Sequence, residues 1–326
     1  MLRPVKSYTG QSTNLEKEMG TSAKTIVYTL AISALSLAAC SPTGDGQLAV
    51  EPDAAGTACT SESFPELYLA ATTTMKPEAW EAARCAMAQI NTAEEGAERH
   101  WEFAALRAAG STRAGYKVAL ASEPAYSSFG LSQPVVGVLF ADMLRDSGAL
   151  VSRSDGVRLA YEADLMARVA DAGINDASTL EEVAASLESI IAFLELPDLV
   201  IGPDPAAGGQ FIAINAAARF GVLGESVPAS TDPVLIRSLE TMRVVIEDDA
   251  GNILSDAPGS AVMGNPLNSI LFLVNELKKR GESLKPGDLV SLGAYSTPTP
   301  IGELSGVTVR YSGIGGQDIA VVARFQ

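Results

Sequence analysis

Residues 264–293 read GNPLNSILFLVNELKKRGESLKPGDLVSLG, which is a helix, a turn and a strand in sequence. Asn265 is a good N-cap, Pro266 suits the first helical position and Gly281 the exit. Leu267, Ile270, Leu271, Val274 and Leu277 recur at helical spacing, so a helix over 266–280 with one core-facing stripe is predicted. Lys285-Pro286-Gly287-Asp288 then turns the chain into a strand over 289–293, and two more strands are predicted at 307–312 and 318–325.

Upstream of that segment, residues 236–263 read as a hairpin whose turn is Asp248-Asp249-Ala250-Gly251-Asn252. Short β-type runs occupy 116–121, 135–140, 157–169 and 190–196. A helix over 179–188 separates the last two, with Thr179 as N-cap and Glu182 at the capping-box position. Residues 76–110 are rich in Ala and Glu, with Trp80, Ala83, Met87 and Ile90 at helical spacing. The pattern is α+β: an N-terminal helical section over 61–114, then a β-rich body over 115–326 crossed by helices. No internal repeat and no glycine-rich phosphate loop is present.

The 326 residues are 47% hydrophobic and 19% charged, which is a folding composition. Lys and Arg number 23 against 39 Asp and Glu, a formal charge of −16 that argues against nucleic-acid binding. The chain has one histidine, His100, so a His-based zinc cluster cannot be built. No carboxylate-and-nucleophile pattern surrounds His100, and a structural or surface role is expected for it.

Lys24 precedes an apolar run over 25–39 that stops at Cys40, the layout of a secretory signal. Leu37-Ala38-Ala39-Cys40 resembles the bacterial lipoprotein box, which implies lipidation of Cys40 and export, with Ser41 favouring the outer membrane facing the periplasm. Residues 1–39 are therefore read as signal, with 1–18 upstream of a start at Met19, and 40–60 as a flexible lipid-anchored tether. Setting 1–39 aside removes four basic and two acidic residues and moves the formal charge to −18. Cys59 and Cys85 are the remaining cysteines; an oxidising compartment allows a bridge between them, and two free thiols are the alternative.

Three acids stand out. Glu162 and Asp164 are two apart on a strand and point to one face. Glu195 interrupts the apolar run Ile190-Ile191-Ala192-Phe193-Leu194, where a carboxylate is costly to bury alone. Three carboxylates holding a divalent cation would offset that cost, and all-oxygen ligation favours Mg²⁺ or Mn²⁺. On spacing alone, an acidic pair on a strand is more often a solvated face than a metal site.

Several segments together resemble the 2-keto-4-pentenoate hydratase family, the hydratase and decarboxylase branch of the fumarylacetoacetate hydrolase superfamily. Gly264-Asn265-Pro266-Leu267-Asn268-Ser269 is similar to Gly-His-Pro-Leu-Asn-Ala, and Leu284–Asp288 to Leu-Lys-x-Gly-Asp. Gly115–Leu120 is similar to Gly-x-Lys-Ile-Gly-Leu, and residues 129–143 follow Leu-Gly-Val-Asp-Gln-Pro-Asp-x-Gly-x-Leu-x-x-Asp-Met. Glu162-Ala163-Asp164 matches a Glu-Ala-Glu pair, and Glu195 a third acid. The resemblance spans roughly residues 80–325.

It implies a rolled, mixed β-sheet core and a lyase that adds water to a small enolisable 2-oxo acid. Glu162, Asp164 and Glu195 would hold Mg²⁺ or Mn²⁺, and Lys117 would be the nearby cation or proton shuttle, its pKa lowered by the metal. Leu131 and Asn268 would touch substrate, and a homo-oligomer is expected. The chain departs from the pattern at Ser132 and Val135, where aspartates are usual, and at Asn265, where histidine is usual. Ile214-Asn215-Ala216-Ala217 replaces Asp-Asn-Ala-Ser, and Leu292-Gly293 a Thr/Ser-Gly turn. Two functions stay open: an exported, lipid-anchored hydratase, or a lipoprotein without catalysis that keeps the fold and binds a small carboxylate or a protein partner.

Overall fold

The computed structural model describes residues 59–326; the signal, the lipidation site at Cys40 and nearly all of the tether lie outside the described residues. Three helices come first: α1 (Phe64–Thr74), α2 (Pro77–Met87) and α3 (Ala93–Ala108). The run expected as helical over 76–110 is thus two helices, and it restarts at Thr92, whose hydroxyl accepts from the Glu95 amide at 3.1 Å. Phe64, Tyr68, Trp80 and Phe103 gather these helices into one apolar cluster. Cys59 and Cys85 are joined as a disulfide, tying the chain ahead of α1 to α2.

The strands are β1 (Arg113–Ala119), β2 (Val135–Phe140), β3 (Leu144–Asp146), β4 (Ala149–Val151), β5 (Ala160–Val169), β6 (Leu187–Leu196), β7 (Phe220–Pro228), β8 (Arg243–Asp248), β9 (Ile253–Pro258), β10 (Leu289–Ser291), β11 (Thr299–Pro300), β12 (Gly306–Ile314) and β13 (Gln317–Phe325). Between them run α4 (Glu123–Ser127), α5 (Leu180–Ala185), α6 (Gly208–Ala213), α7 (Pro233–Thr241) and α8 (Leu267–Lys278). One mixed, curled sheet has the order β2-β1-β10-β5-β6-β7-β3, with β11 also pairing β5; the other is β4-β13-β12-β8-β9.

Helix α8 forms as its sequence predicts. Asn265 Oδ1 accepts from the Leu267 amide at 3.1 Å, while its Nδ2 donates to the Ile236 carbonyl at 2.9 Å, fastening α8 to α7. Leu267, Ile270, Val274 and Leu277 are buried, together with Leu273 beside the expected stripe, each worth about 1.5–3 kcal/mol. The hairpin expected over 236–263 is shorter. Residues up to Thr241 belong to α7, because Asp232 caps the Val234 amide at 2.8 Å and Leu235, Ile236 and Leu239 form a buried helical face. Helix α5 starts at the Thr179–Glu182 capping box but stops at Ala185, since the chain from Leu187 is taken up by β6.

The first sheet is buried on both faces, which is why β5 and β6 read as near-continuous apolar runs. Ala163, Leu165, Ala192 and Leu194 face the main core, with Val309, Tyr311 and Val321 of the second sheet. On the opposite face Leu139, Met166, Ile191, Phe193 and Leu289 form a separate small cluster. The strand alternation puts Lys117, Glu162, Asp164, Glu195 and Ser291 on that second face.

Candidate active site

Strand pairing brings the four predicted residues together. Glu162 and Glu195 are direct partners across β5 and β6, and Asp164 stands one same-face step along β5. Lys117 on β1 pairs with Ser291 on β10, whose other neighbour is Met166 of β5. Exposure is 2% for Lys117, 6% for Glu162, 0% for Asp164 and 3% for Glu195, so the solvated-face alternative is ruled out.

Each polar group has partners. The Lys117 ammonium is ion-paired with Glu195 and donates to the Ala216 carbonyl at 3.1 Å. Asp164 accepts from the Ser291 hydroxyl at 2.6 Å, from the Gly293 amide at 3.0 Å and from the Leu165 amide. Gly293 presents that amide from a φ of +112°, where a Cβ would come within 2.5 Å of the Ala121 Cβ. From the other sheet, the Tyr311 hydroxyl donates to the backbone carbonyls of Asp164 and Phe193, locking β5 to β6 beside the acids.

One ammonium among three carboxylates leaves the site short of positive charge. Burial, reinforced by the charge of Glu195, pushes the Asp164 carboxyl up to about 7 and raises Glu162 well above the carboxylate range. Burial pulls the Lys117 ammonium down, but the charges of Glu195 and Glu162 outweigh it, and the net shift is upward. In the metal-free site this is opposite to the lowering expected from the sequence.

The donor chemistry fits a hard divalent cation: buried carboxylates on one face with excess negative charge. As they stand, the side chains engage Lys117, Ser291 and Gly293, and among the described residues no three acidic, histidine or cysteine groups converge as metal ligands.

Leu131 lines a cleft of about 580 Å³ with His100, Trp101, Gln133, Phe272 and Arg280, and none of the four clustered residues lines it. Asn268 donates to the Met263 carbonyl at 2.9 Å. His100 is buried, with Nε2 2.9 Å from Asn215 Oδ1. Sequence reasoning passed over Ser291, Gly293 and Asn215 as contributors. Asn215 had a signal, being a lone polar residue within the run Ile212–Ala218.

No family model matches the chain. It is 28% identical over 207 residues to the TodF product hydratase of Pseudomonas putida strain F1, covering 64% of this chain and 75% of the relative. It is 27% identical over 212 residues to the 2-keto-4-pentenoate hydratase of Paraburkholderia phymatum, covering 64% and 79%. The solved 4-oxalocrotonate decarboxylase from Pseudomonas putida G7, complexed with magnesium and adipate, matches with a TM-score of 0.65 at 23% identity, over 82% of this chain and 97% of that one. The chain has the α+β fold of that decarboxylase, and its sequence is similar to proteins named as 2-keto-4-pentenoate hydratases.

Proposed function

We propose that the protein is a metal-dependent lyase of the hydratase type acting on a small, enolisable 2-oxo acid. The observation that carries this reading is the cluster of Glu162, Asp164 and Glu195 with Lys117, buried on one sheet face with more acid than one ammonium neutralises. The similarity to hydratases and the magnesium in the fold relative support it. Glu162, Asp164 and Glu195 would hold Mg²⁺ or Mn²⁺. A divalent cation there supplies Lewis acidity, stabilising negative charge on the oxygen of an enolised 2-oxo acid.

The chain's own contribution is positional and electrostatic. Burial keeps bulk water from the acids and strengthens every charge interaction among them. Lys117 Nζ, ion-paired with Glu195, is a group of the cluster that can carry a proton and would not be a metal donor. It can hydrogen-bond to a developing oxyanion or give a proton to an enolate carbon. With Ser132 exposed and Val135 buried in the N-terminal apolar cluster, no acid occupies those two positions to share that task.

Those two positions favour a second reading, a binder of small carboxylates without turnover. The test is turnover of 2-keto-4-pentenoate and 4-oxalocrotonate by the metal-loaded protein. The lyase reading expects turnover that is lost on chelation and in Glu162→Ala; metal-tightened binding without turnover of either compound selects the binder.

We further propose that the protein is exported and anchored through a lipid on Cys40, working as a homo-oligomer. The Lys24–Cys40 sequence and a disulfide suited to an oxidising compartment support the export. Palmitate labelling of whole cells that is lost in Cys40→Ser is the expected result for the anchor.

A further inference from the structure

Three consecutive residues with side chains, Asn215, Ala216 and Ala217, sit in the left-handed region at φ of 58°, 51° and 59°. Such a run persists only where the surroundings over-determine it. The Asn215 side chain does most of the holding. Its Oδ1 accepts from the Val138 amide at 2.7 Å and its Nδ2 donates to the Val138 carbonyl at 2.9 Å, so one amide pairs with edge strand β2 as a neighbouring strand would. Because Oδ1 is thereby the amide carbonyl, His100 Nε2, 2.9 Å away, is the donor to it. The Tyr68 hydroxyl donates to the Ile214 carbonyl at 3.1 Å, and the Asp198 amide to the Ala217 carbonyl at 3.0 Å.

What the turn delivers is the Ala216 carbonyl, 3.1 Å from Lys117 Nζ. The lysine stem is confined from the other side. A Cβ on Gly137 would lie 2.8 Å from Lys117 Cγ and 3.0 Å from the Asn215 carbonyl. The ammonium is therefore suspended between Glu195 and a carbonyl whose place is set from α1 and α3.

We propose that Asn215 and His100 are positioning residues for Lys117: the strut from His100 through Asn215 to the Ala216 carbonyl fixes where the ammonium stands in the acid cluster. The proposal rests on the reading of Lys117 as an acting group. It makes the N-terminal helical section a working part of the site.

The test uses the full, metal-loaded chain with Asn215→Ala, His100→Leu, His100→Gln and Lys117→Ala. Two readouts are taken: steady-state kinetics on 2-keto-4-pentenoate, and the ¹⁵N resonance of the Lys117 ammonium, assigned by its loss in Lys117→Ala. Asn215→Ala and His100→Leu are expected to shift that resonance and speed its proton exchange. Their kcat should fall on the order of 10–100-fold with KM nearly unchanged. Glutamine places an amide N–H at about the reach of Nε2, so His100→Gln should restore both readouts. Folded Asn215→Ala or His100→Leu proteins with a wild-type Lys117 resonance and kcat overturn the proposal. If Asn215→Ala does not fold, the Leu/Gln pair at 100 decides in the same terms. Full activity in Lys117→Ala would instead sink the reading of Lys117, and a shifted resonance in Asn215→Ala would still establish the strut.

Discussion

Glu162 and Glu195 face each other directly across β5 and β6, both buried, and Lys117 is ion-paired with Glu195. Two ionised carboxylates opposed there would repel, and burial raises the cost, so without a cation the Glu162 carboxyl is held well above the carboxylate range. A cation bound there should therefore stabilise the whole fold. Mg²⁺ or Mn²⁺ at about 100 times its dissociation constant is expected to add about 2.7 kcal/mol, read as a rise in melting temperature. In Glu162→Gln that rise should vanish while the metal-free melting temperature does not fall. A metal-free protein markedly weakened by this substitution would show that crowding these acids is not a liability to the metal-free fold.

Lys117 and Gly137 supply a second expectation. The alanine Cβ in Gly137→Ala has to enter the space of Lys117 Cγ, at the middle of the stem rather than its free end. The backbone φ there is ordinary, so the effect is one of crowding. A loss of about 1–3 kcal/mol is expected, with a larger proportional loss of kcat than of metal affinity. Denaturant melts, calorimetric metal titration and kinetics on one preparation separate the three quantities.

His100 predicts a pH effect that can be isolated because the chain has one histidine. Burial lowers it from 6.5 to about 4, the bond to Asn215 opposes that and Arg280 adds to it. Between those values the unfolded chain binds the extra proton, so stability rises with pH and is lost as pH falls from about 6.5 toward 4. The size is at most about 3 kcal/mol. Asp164 and Glu162, shifted upward, act with the opposite sign in the same window, stability falling as pH rises toward the folded value. The measurement is thus the difference between wild type and His100→Gln over pH 4–7. A difference independent of pH would remove the histidine contribution.

The disulfide between Cys59 and Cys85 closes a loop with a sequence separation of 26. Chain-entropy arguments give about 3.5 kcal/mol for a loop of that length. Reduction or Cys59→Ser should lower the melting temperature accordingly. A melting temperature unchanged by reduction would mean the N-terminal helices owe their placement to packing alone.

Much of this was legible beforehand because it was written in local chemistry. The Thr179–Glu182 capping box, the Asn265 cap and the stripe of α8 are short-range signals, and the structure realises each. Glu162 with Asp164, and Glu195 amid apolar residues, were visible as period-two placement and as a costly charge. What pairing they would find was not visible, because strand register is a long-range property. Ser291 reaches Asp164 across 127 residues of sequence, and Asn215 reaches Val138 across 77. Strand β7 went unread because Phe220–Pro228 contains glycine and glutamate and lacks a clean alternation. Residues 236–241, Ile-Arg-Ser-Leu-Glu-Thr, hold too few apolar residues to fix a period, and the Asp232 cap decides for helix.

The bridge from Cys59 to Cys85 also has a mechanical side. Tension applied to whatever precedes Cys59 passes through the sulfur pair directly into α2, so α1 is out of the load path. Peeling α1 away would release no length until the covalent loop itself opened. A pull on the N-terminal end therefore meets the packed body of the protein first, and Tyr68, with its hold on the Ile214 carbonyl, stays in place under load.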